Sequence, residues 1–163
     1  MYNNKLIYDL GMHIGQDTDY YLKKGFRVIA VEANPLLVQS AQQLFACEIE
    51  SKQLTILNVG IGPQTGTFPF YVNRKYSEWS SFDEEIGNRE GGADLIQVEM
   101  TTIENILREF GVPYYMKVDI EGHDMTVIEG LPTYGIHYYE VKVWDLLQNL
   151  YFILLGVEIV PSV

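Results

Sequence analysis

Acidic residues close three apolar runs of this chain. Asp9 ends the run LIYD and Glu32 ends RVIAVE, while Asp119 and Glu121 end YYMKVDIE. A carboxylate accepts hydrogen bonds from hydroxyl and ammonium groups, and it can remove a proton from a hydroxyl. Because ligands of open α/β sheets bind outside the carboxyl ends of the strands, these acids predict one shared ligand site.

Two glycines follow Asp9 in the segment DLGMHIG, at Gly11 and Gly15. Glycine lets the backbone turn tightly and approach a ligand closely. His13 stands where the dinucleotide-binding pattern G-x-G-x-x-G has its central glycine, so this loop is not typical of a pyrophosphate site. Asp9 beside it favours a ligand with a positively charged amino acid end, and a purely structural turn is the alternative interpretation.

Glu32 follows Gly11 by about the 20 residues that separate the glycine turn and the ribose-binding acid of nucleotide-binding units. A carboxylate there can accept hydrogen bonds from both ribose hydroxyls. The alternative is a negative charge that stabilises the N-terminus of the following helix.

The segment KVDIEGHD offers groups for acid–base chemistry. Strand alternation predicts Asp119 and Glu121 on the same side, where they can hold a substrate hydroxyl or remove its proton. His123 is the other candidate base, unless it is a surface or capping residue. An Asp and Glu pair can also bind Mg²⁺, but no second ligand cluster accompanies it, and we predict no metal site.

The composition narrows the functional classes. A chain of 163 residues with 47% apolar residues predicts one globular domain over residues 1–163. A net charge of -11 disfavours nucleic acid as a partner. The single cysteine, Cys47, rules out an intrachain disulfide, and the start lacks a signal peptide pattern. The apolar stretch 146–155 is too short to span a bilayer, so we expect a cytoplasmic, soluble protein.

Strand-like and helix-like runs alternate, which predicts an α/β fold with a mostly parallel central sheet and helices on both faces. The predicted strands cover residues 5–11, 27–34, 54–62, 65–73 (at an edge, because of Pro69), 95–100, 114–122, 137–143 and 157–160. The predicted helices are residues 18–24, 35–46, 124–129 and 145–155, and one further helix that begins after residue 101. The predicted N-caps are Asp17 for the first helix and Asn34 for the second, and Thr101 with Glu104 forms a capping box for the further helix. Residues 74–94 are predicted to be a long flexible loop, suited to a lid.

Four segments occur in the order DLGMHIGQD, VIAVEANP, NVGIG with GTFPFYVN, and MKVDIEGHD, within residues 7–131. Together they resemble the FkbM family of S-adenosylmethionine (SAM)-dependent methyltransferases, which implies a Rossmann-like fold. The resemblance implies methylation of a hydroxyl on a sugar, glycan or small natural product. It implies these cofactor-binding residues: Asp9, Gly11, Met12, His13 and Gly15 for the methionine part, Glu32 with Ala33 for the ribose, and Val59 with Gly60 near the adenine. It places Asp119, Glu121 and His123 at the substrate.

Some positions differ from what is common in this family. Asparagine often stands at the position of His13, and alanine at that of Gly60. The family pattern fades after Leu131, so residues from about 132 onward form an atypical or shortened C-terminal part. Two other functions stay open: a non-catalytic SAM-binding or interaction module, and a nicotinamide-dependent oxidoreductase. The missing central glycine and the presence of Asp9 weigh against the oxidoreductase.

Overall fold

A computed structural model describes residues 2–131, 140–144 and 150–154, with side chains from residue 5 to residue 131. Its strands are β1 Tyr2–Leu10, β2 Arg27–Val31, β3 Leu54–Leu57, β4 Gly60–Ile61, β5 Gly66–Asn73, β6 Ala93–Thr101, β7 Val112–Val118, β8 Glu140–Trp144 and β9 Leu150–Leu154. Its helices are α1 Gln16–Lys23, α2 Pro35–Leu44, α3 Ala46–Glu50, α4 Glu84–Gly87, α5 Ile103–Phe110 and α6 Asp124–Gly130, with a 3-10 helix at Ser77–Trp79.

The central sheet has the strand order β3-β2-β1-β7, and every neighbouring pair is parallel. The carboxyl ends of β1, β2 and β7 therefore lie side by side at one edge of the sheet. A second sheet has the order β4-β6-β5, with β4 parallel and β5 antiparallel to β6. The predicted parallel α/β architecture is confirmed.

Side chains of the central sheet pack on both of its faces. On one face Leu6, Tyr8 and Leu10 of β1 join a buried cluster with residues of α5 and α6. On the other face Val28 and Ala30 of β2 pack with residues of α1 and α2. Strands covered on both faces need near-continuous apolar runs, which is why β1 and β2 were recognisable in the sequence.

The predicted third strand, 54–62, is divided into β3 and β4. The side-chain amide of Asn58 lies between them and donates hydrogen bonds to the carbonyl oxygens of Glu32 and Ala33, at 2.9 and 3.1 Å. These contacts bend the chain over the end of β2. After the bend, the chain enters the second sheet as β4.

The prediction of a flexible loop at residues 74–94 is wrong, because this segment is folded. Asn73 organises it: its carbonyl oxygen Oδ1 accepts hydrogen bonds from the backbone N–H groups of Lys75 and Tyr76. Its amide Nδ2 donates to the carbonyl oxygens of Gly87 and Arg89. One asparagine side chain thus satisfies four backbone groups, and we call this segment the wall.

The predicted helix at 145–155 is also wrong in its described part, because Leu150–Leu154 is strand β9, paired antiparallel with β8. The apolar run LYFIL has no helical period that separates helix from strand. Residues 145–149 and 155 and the predicted strand at 157–160 lie outside the described residues, as does the 137–139 part of the predicted strand 137–143.

Two predicted helix caps shift along the chain. Helix α1 has Gly15 as its N-cap, in the left-handed conformation, so Asp17 lies in the first turn instead. Helix α5 has Thr102 as its N-cap, whose hydroxyl accepts a hydrogen bond from the Asn105 N–H, so the predicted cap at Thr101 is one residue early. Either of two adjacent threonines can cap, and the tertiary structure selects one.

Candidate functional site

A cavity of about 910 Å³ opens at the carboxyl ends of β1, β2 and β7. Pockets of this volume hold small-molecule ligands. Most of the residues predicted from the sequence line it: Gly11, Met12, His13, Glu32, Ala33, Val59, Gly60, Asp119, Glu121 and His123. Asp9 and Gly15 lie behind its lining.

The glycine turn begins where β1 ends at Leu10. The N–H groups of Gly11 and Met12 both donate to the Val31 carbonyl oxygen at 3.0 Å, so the chain crosses over the end of β2. Gly11 has a φ of 81°, and a Cβ there would lie 1.9 Å from the backbone oxygen of Asp119. Glycine is therefore required both for the turn and for the close approach of the loop after β7.

Gly15 shapes the turn without contacting the cavity. It adopts a φ of 84° and caps α1, and a Cβ there would lie 2.7 Å from the ring of Phe45. This glycine allows the turn to pack against the end of α2.

Glu32 stands directly after β2, at the edge of the sheet, and is 9% exposed. Its Oε2 accepts a hydrogen bond from the His13 N–H and its Oε1 accepts one from the Asn34 N–H, both at 2.8 Å. Burial raises the pKa of Glu32, and these two N–H groups oppose that rise. Each carboxylate oxygen accepts two hydrogen bonds, so the oriented side chain keeps capacity for two ligand hydroxyls.

His13 joins the glycine turn to the wall. Its φ of 52° lies in the left-handed region, where histidine and asparagine are enriched among residues with side chains. Its ring Nε2 lies 2.8 Å from the hydroxyl oxygen of Ser77 in the wall. The same residue thus holds Glu32 through its backbone and the wall through its ring.

Asp9 is fully buried beneath the glycine turn. Its Oδ2 accepts a hydrogen bond from the Thr18 hydroxyl at 2.6 Å, and its Oδ1 lies 3.3 Å from the Lys117 Nζ. The ammonium of Lys117 also donates to the Gly11 carbonyl oxygen at 3.1 Å. The sequence predicts that Asp9 faces an ammonium group of the ligand, whereas the ammonium group that it contacts is that of Lys117.

Lys117 is a residue that the sequence analysis missed. Its Nζ lies 3.3 Å from the Asp17 Oδ2 and 3.8 Å from the Asp119 Oδ2, so it joins α1, the glycine turn and the loop after β7. A lysine within the apolar run YYMKV was the available signal, because a buried ammonium group requires charged partners.

The cavity is predominantly acidic. Its acidic lining residues are Asp17, Glu32, Glu78, Asp119, Glu121 and Asp124, and its basic ones are Arg89 and Lys117. Lys117 is already paired with carboxylates. The remaining negative charge favours a ligand that carries a positive charge.

Strand β7 ends at Val118, so Asp119 and Glu121 lie in the following loop and strand alternation does not fix their directions. Both still line the cavity. Burial and the neighbouring carboxylates of Asp119 and Asp124 raise the pKa of Glu121 to about 7. Burial also raises the pKa of Asp119, and the Lys117 ammonium opposes this rise.

His123 lies in the same loop, and its Nδ1 is 3.2 Å from the Ile61 carbonyl oxygen. A carbonyl oxygen only accepts hydrogen bonds, so Nδ1 carries the proton in the neutral ring. The Nε2 then holds a free electron pair, and within residues 5–131 it has no hydrogen-bond partner. An imidazole in this state can accept a proton.

The wall supplies cavity residues that no sequence pattern marked. They are Ser77, Glu78, Trp79, Ser80, Ser81, Phe82, Ile86 and Arg89. Ser81 fixes the wall to the loop after β7, because its hydroxyl donates to the Glu121 carbonyl oxygen at 2.7 Å. The sequence predicts a flexible lid over the site for this segment, whereas the structure shows it folded against one side of the cavity.

Parallel strands with helices on both faces, and a ligand cavity where β1, β2 and β7 end, define a Rossmann-like α/β domain. The sequence profile of the methyltransferase FkbM domain matches residues 9–152. The chain therefore belongs to the FkbM family of methyltransferases, as the resemblance of its motifs predicted.

One sequence relative agrees with this assignment, and one solved structure has a similar fold. The chain is 24% identical to the methyltransferase sdnD of Sordaria araneosa over an alignment of 178 positions. The alignment covers 91% of this chain and 65% of that protein. The chain is similar in fold to the crystal structure of methyltransferase FkbM from Methylobacillus flagellatus KT, with a TM-score of 0.60 and 18% sequence identity. That alignment covers 91% of this chain and 36% of the other. The chain thus spans just under two thirds of one relative and about a third of the other.

Within the described part of the chain, no helix is long and apolar enough to cross a membrane. The same residues contain no group of three or more histidine, cysteine, aspartate or glutamate side chains arranged to hold a metal ion.

Proposed function

We propose that this protein binds SAM in the cavity and transfers its methyl group to a hydroxyl of a sugar, a glycan or a small natural product. The observation that carries the proposal is the Glu32 carboxylate, oriented by two backbone N–H groups beside the glycine turn. A second group of acidic residues, with His123, stands in the same cavity. Family membership and the methyltransferase relative of 24% identity support the reaction class.

The lining residues fit the parts of SAM. Glu32 has the lone pairs to receive the two ribose hydroxyls, with Ala33 beside it. Val59 and Gly60 offer an apolar surface for the adenine. The backbone of Gly11, Met12 and His13 surrounds the methionine part, and the acidic lining favours its sulfonium and ammonium charges.

Asp9 and Gly15 support this subsite from behind. Asp9 holds the Lys117 ammonium, which in turn holds the Gly11 carbonyl oxygen. Gly15 starts α1 and lets the turn pack on Phe45. We therefore assign them to the shape of the cofactor site rather than to direct contact with the cofactor.

SAM supplies a methyl carbon made electrophilic by the attached sulfonium. The protein holds the acceptor oxygen in line with that carbon, and such alignment can be worth an effective molarity on the order of 10⁵ M or more. Asp119 or His123 accepts the hydroxyl proton, which typically adds about 10²- to 10⁴-fold. His123 accepts it at Nε2, because Nδ1 already carries a proton toward Ile61. Glu121 orients the acceptor hydroxyl.

Transfer of an isotope-labelled methyl group from SAM to a panel of glycans and hydroxylated metabolites tests the proposal. We expect at least one acceptor to be labelled, and we expect Asp119→Asn or His123→Ala to reduce the rate by roughly 10²-fold or more. SAM binding by both variants, measured by calorimetry, is the control for folding.

Two results would contradict parts of this assignment. If both variants keep the full rate on the true acceptor, neither residue is the base. If the wild-type protein binds SAM and labels no acceptor, it is a SAM-binding module. Stabilisation in a thermal shift assay by NAD instead of SAM would favour an oxidoreductase, since a ligand at 100 times its Kd adds about 2.7 kcal/mol.

A further inference from the structure

We propose that Phe82 is a positioning residue for His123, and that Gly60 provides the space that Phe82 needs. The inference rests on the proposed function, and of its two candidate bases, Asp119 and His123, it takes His123 as the one that accepts the proton. It gives Gly60 a role beyond contact with a cofactor, and it gives the wall a part in the reaction.

The ring of His123 is fixed by two contacts in different directions. The Phe82 ring stacks on it, with centroids 5.8 Å apart and an angle of 23° between the ring planes. The Ile61 carbonyl oxygen accepts a hydrogen bond from Nδ1 at 3.2 Å. The stack sets the plane of the imidazole, and the hydrogen bond selects the one of the two flipped ring orientations that directs Nδ1 to Ile61. Together they leave Nε2 as the proton acceptor.

Gly60 determines where the Phe82 ring lies. A Cβ on Gly60 would stand 2.2 Å from Cε2 and 2.3 Å from Cζ of Phe82, closer than any real contact. Gly60 is not among the residues with positive φ, so its backbone accepts a side chain without strain. The absence of a Cβ at this position therefore serves the Phe82 ring rather than the backbone.

Further contacts hold Phe82 on its other sides. The ring of Phe70 in β5 meets it edge to face, with centroids 4.8 Å apart and an interplanar angle of 60°. The preceding residue, Ser81, exchanges two backbone hydrogen bonds with Tyr71 of β5, at 2.8 and 3.1 Å. The Ser81 hydroxyl also donates to the Glu121 carbonyl oxygen. Phe82 is thus anchored both to β5 and to the loop that carries His123.

The tautomer of His123 decides whether the proton transfer is possible. A lone pair of the acceptor oxygen forms the new bond to the methyl carbon, and the electron pair of the broken sulfur–carbon bond stays on sulfur. The hydroxyl proton moves to Nε2, and the electrons of the O–H bond stay on oxygen. The imidazole becomes an imidazolium with a proton on each nitrogen. A ring that has rotated away from Ile61 can carry its proton on Nε2 instead, and it then has no electron pair facing the acceptor.

Nitrogen-15 NMR of histidine-labelled protein tests this directly, because the two imidazole nitrogens report which of them is protonated. The chain has three histidines, so His13→Asn and His123→Asn variants assign the signals. In the wild type above the pH range of imidazole titration, we expect His123 with a proton on Nδ1 and none on Nε2.

Two variants should disturb this state in different ways. Phe82→Leu removes the stacked ring, and Gly60→Ala displaces it while leaving Phe82 in the chain. We expect mixed tautomers for His123 in both, with kcat at least tenfold lower. For Phe82→Leu, whose side chain is not assigned to the cofactor, we expect the KM for SAM to change less than threefold. The separate variant Phe82→Tyr keeps an aromatic ring at this position, and it should keep the single tautomer of His123. Phe68→Leu is the matched control, because Phe68 is on β5 but does not line the cavity.

The proposal is overturned if Gly60→Ala and Phe82→Leu both keep the wild-type tautomer and kcat. It is also overturned if Phe68→Leu changes the tautomer as much as Phe82→Leu does. If Phe82→Leu does not fold, Gly60→Ala alone decides. Calorimetry with S-adenosylhomocysteine on the same samples distinguishes failure of the proposed function from failure of this inference. A wild type that does not bind S-adenosylhomocysteine contradicts the proposed function, and the tautomer of His123 still tests its positioning by Phe82.

Discussion

The Lys117 Nζ lies 3.3 Å from the Asp9 Oδ1, and the two side chains are only 8% and 0% exposed. Burial lowers the pKa of Lys117, but the carboxylates of Asp9, Asp119 and Asp17 outweigh it, so the net pKa is raised and the ammonium stays charged. Burial raises the pKa of Asp9, and Lys117 and Thr18 counteract this. One buried cation thus links the residues beneath the glycine turn to the loop that carries Asp119 and His123.

Replacing Lys117 alone should destabilise the fold more than replacing Lys117 and Asp9 together. Lys117→Met leaves Asp9 buried without its cation, and breaking a buried pair in this way costs about 3–5 kcal/mol. In the double variant Asp9→Asn/Lys117→Met no charge is left unpaired at Asp9, so we expect a smaller loss. Urea denaturation measures the free energy of unfolding for the single variants Lys117→Met and Asp9→Asn and for the double variant, and a double-variant loss equal to the sum of the two single losses would contradict the pairing.

Two glycines with nearly the same backbone conformation should respond differently to alanine. Gly11 and Gly25 have φ values of 81° and 83°, and only Gly11 would place a Cβ against another segment, at 1.9 Å from the Asp119 oxygen. Gly25→Ala should cost about 1–2 kcal/mol, the penalty for the left-handed region. Gly11→Ala should cost more and should also weaken binding of S-adenosylhomocysteine. Thermal and chemical unfolding measure the loss of stability in each variant. Equal losses for Gly11→Ala and Gly25→Ala would show that the contact between Gly11 and the Asp119 oxygen does not affect stability.

Stability should fall as the pH rises from about 4.5 to about 7, partly because of Glu121. Its pKa is raised from 4.5 to about 7 in the folded protein, so in this range the native state binds more protons than the unfolded state. The free energy of unfolding therefore decreases with pH across that window. Glu121→Gln removes this contribution, and its unfolding free energy should depend less steeply on pH. A wild-type slope that is unchanged in the variant would contradict the raised pKa.

The fold was predictable where burial imposes a strong pattern. The runs at residues 6–8 in β1 and 28–31 in β2 are apolar because helices cover both faces of the sheet, and such runs identify parallel strands. The position of Glu32 at the cavity was predictable for a related reason. Glu32 follows the last residue of β2 and so projects from the edge of the sheet, where the cavity opens.

Asp9 shows what the sequence could not resolve. It precedes Leu10, the last residue of β1, so its side chain points to the face covered by α1, where Thr18 binds it. A shift of one residue along a strand changes a cavity position into a buried one. The wall and Lys117 depend on contacts between segments far apart in the chain, such as Ser81 with Glu121, and no local period encodes such contacts.

The central claim is that the cavity beside Glu32 binds the nucleoside of SAM, and calorimetric titration with S-adenosylhomocysteine tests it most directly. Glu32→Gln removes the charge that receives the ribose hydroxyls, and Glu129→Gln makes the same change on an exposed residue outside the cavity. The account predicts binding to the wild type and to Glu129→Gln, with an affinity at least tenfold weaker for Glu32→Gln. No binding to the wild type, or equal binding to all three proteins, would contradict it.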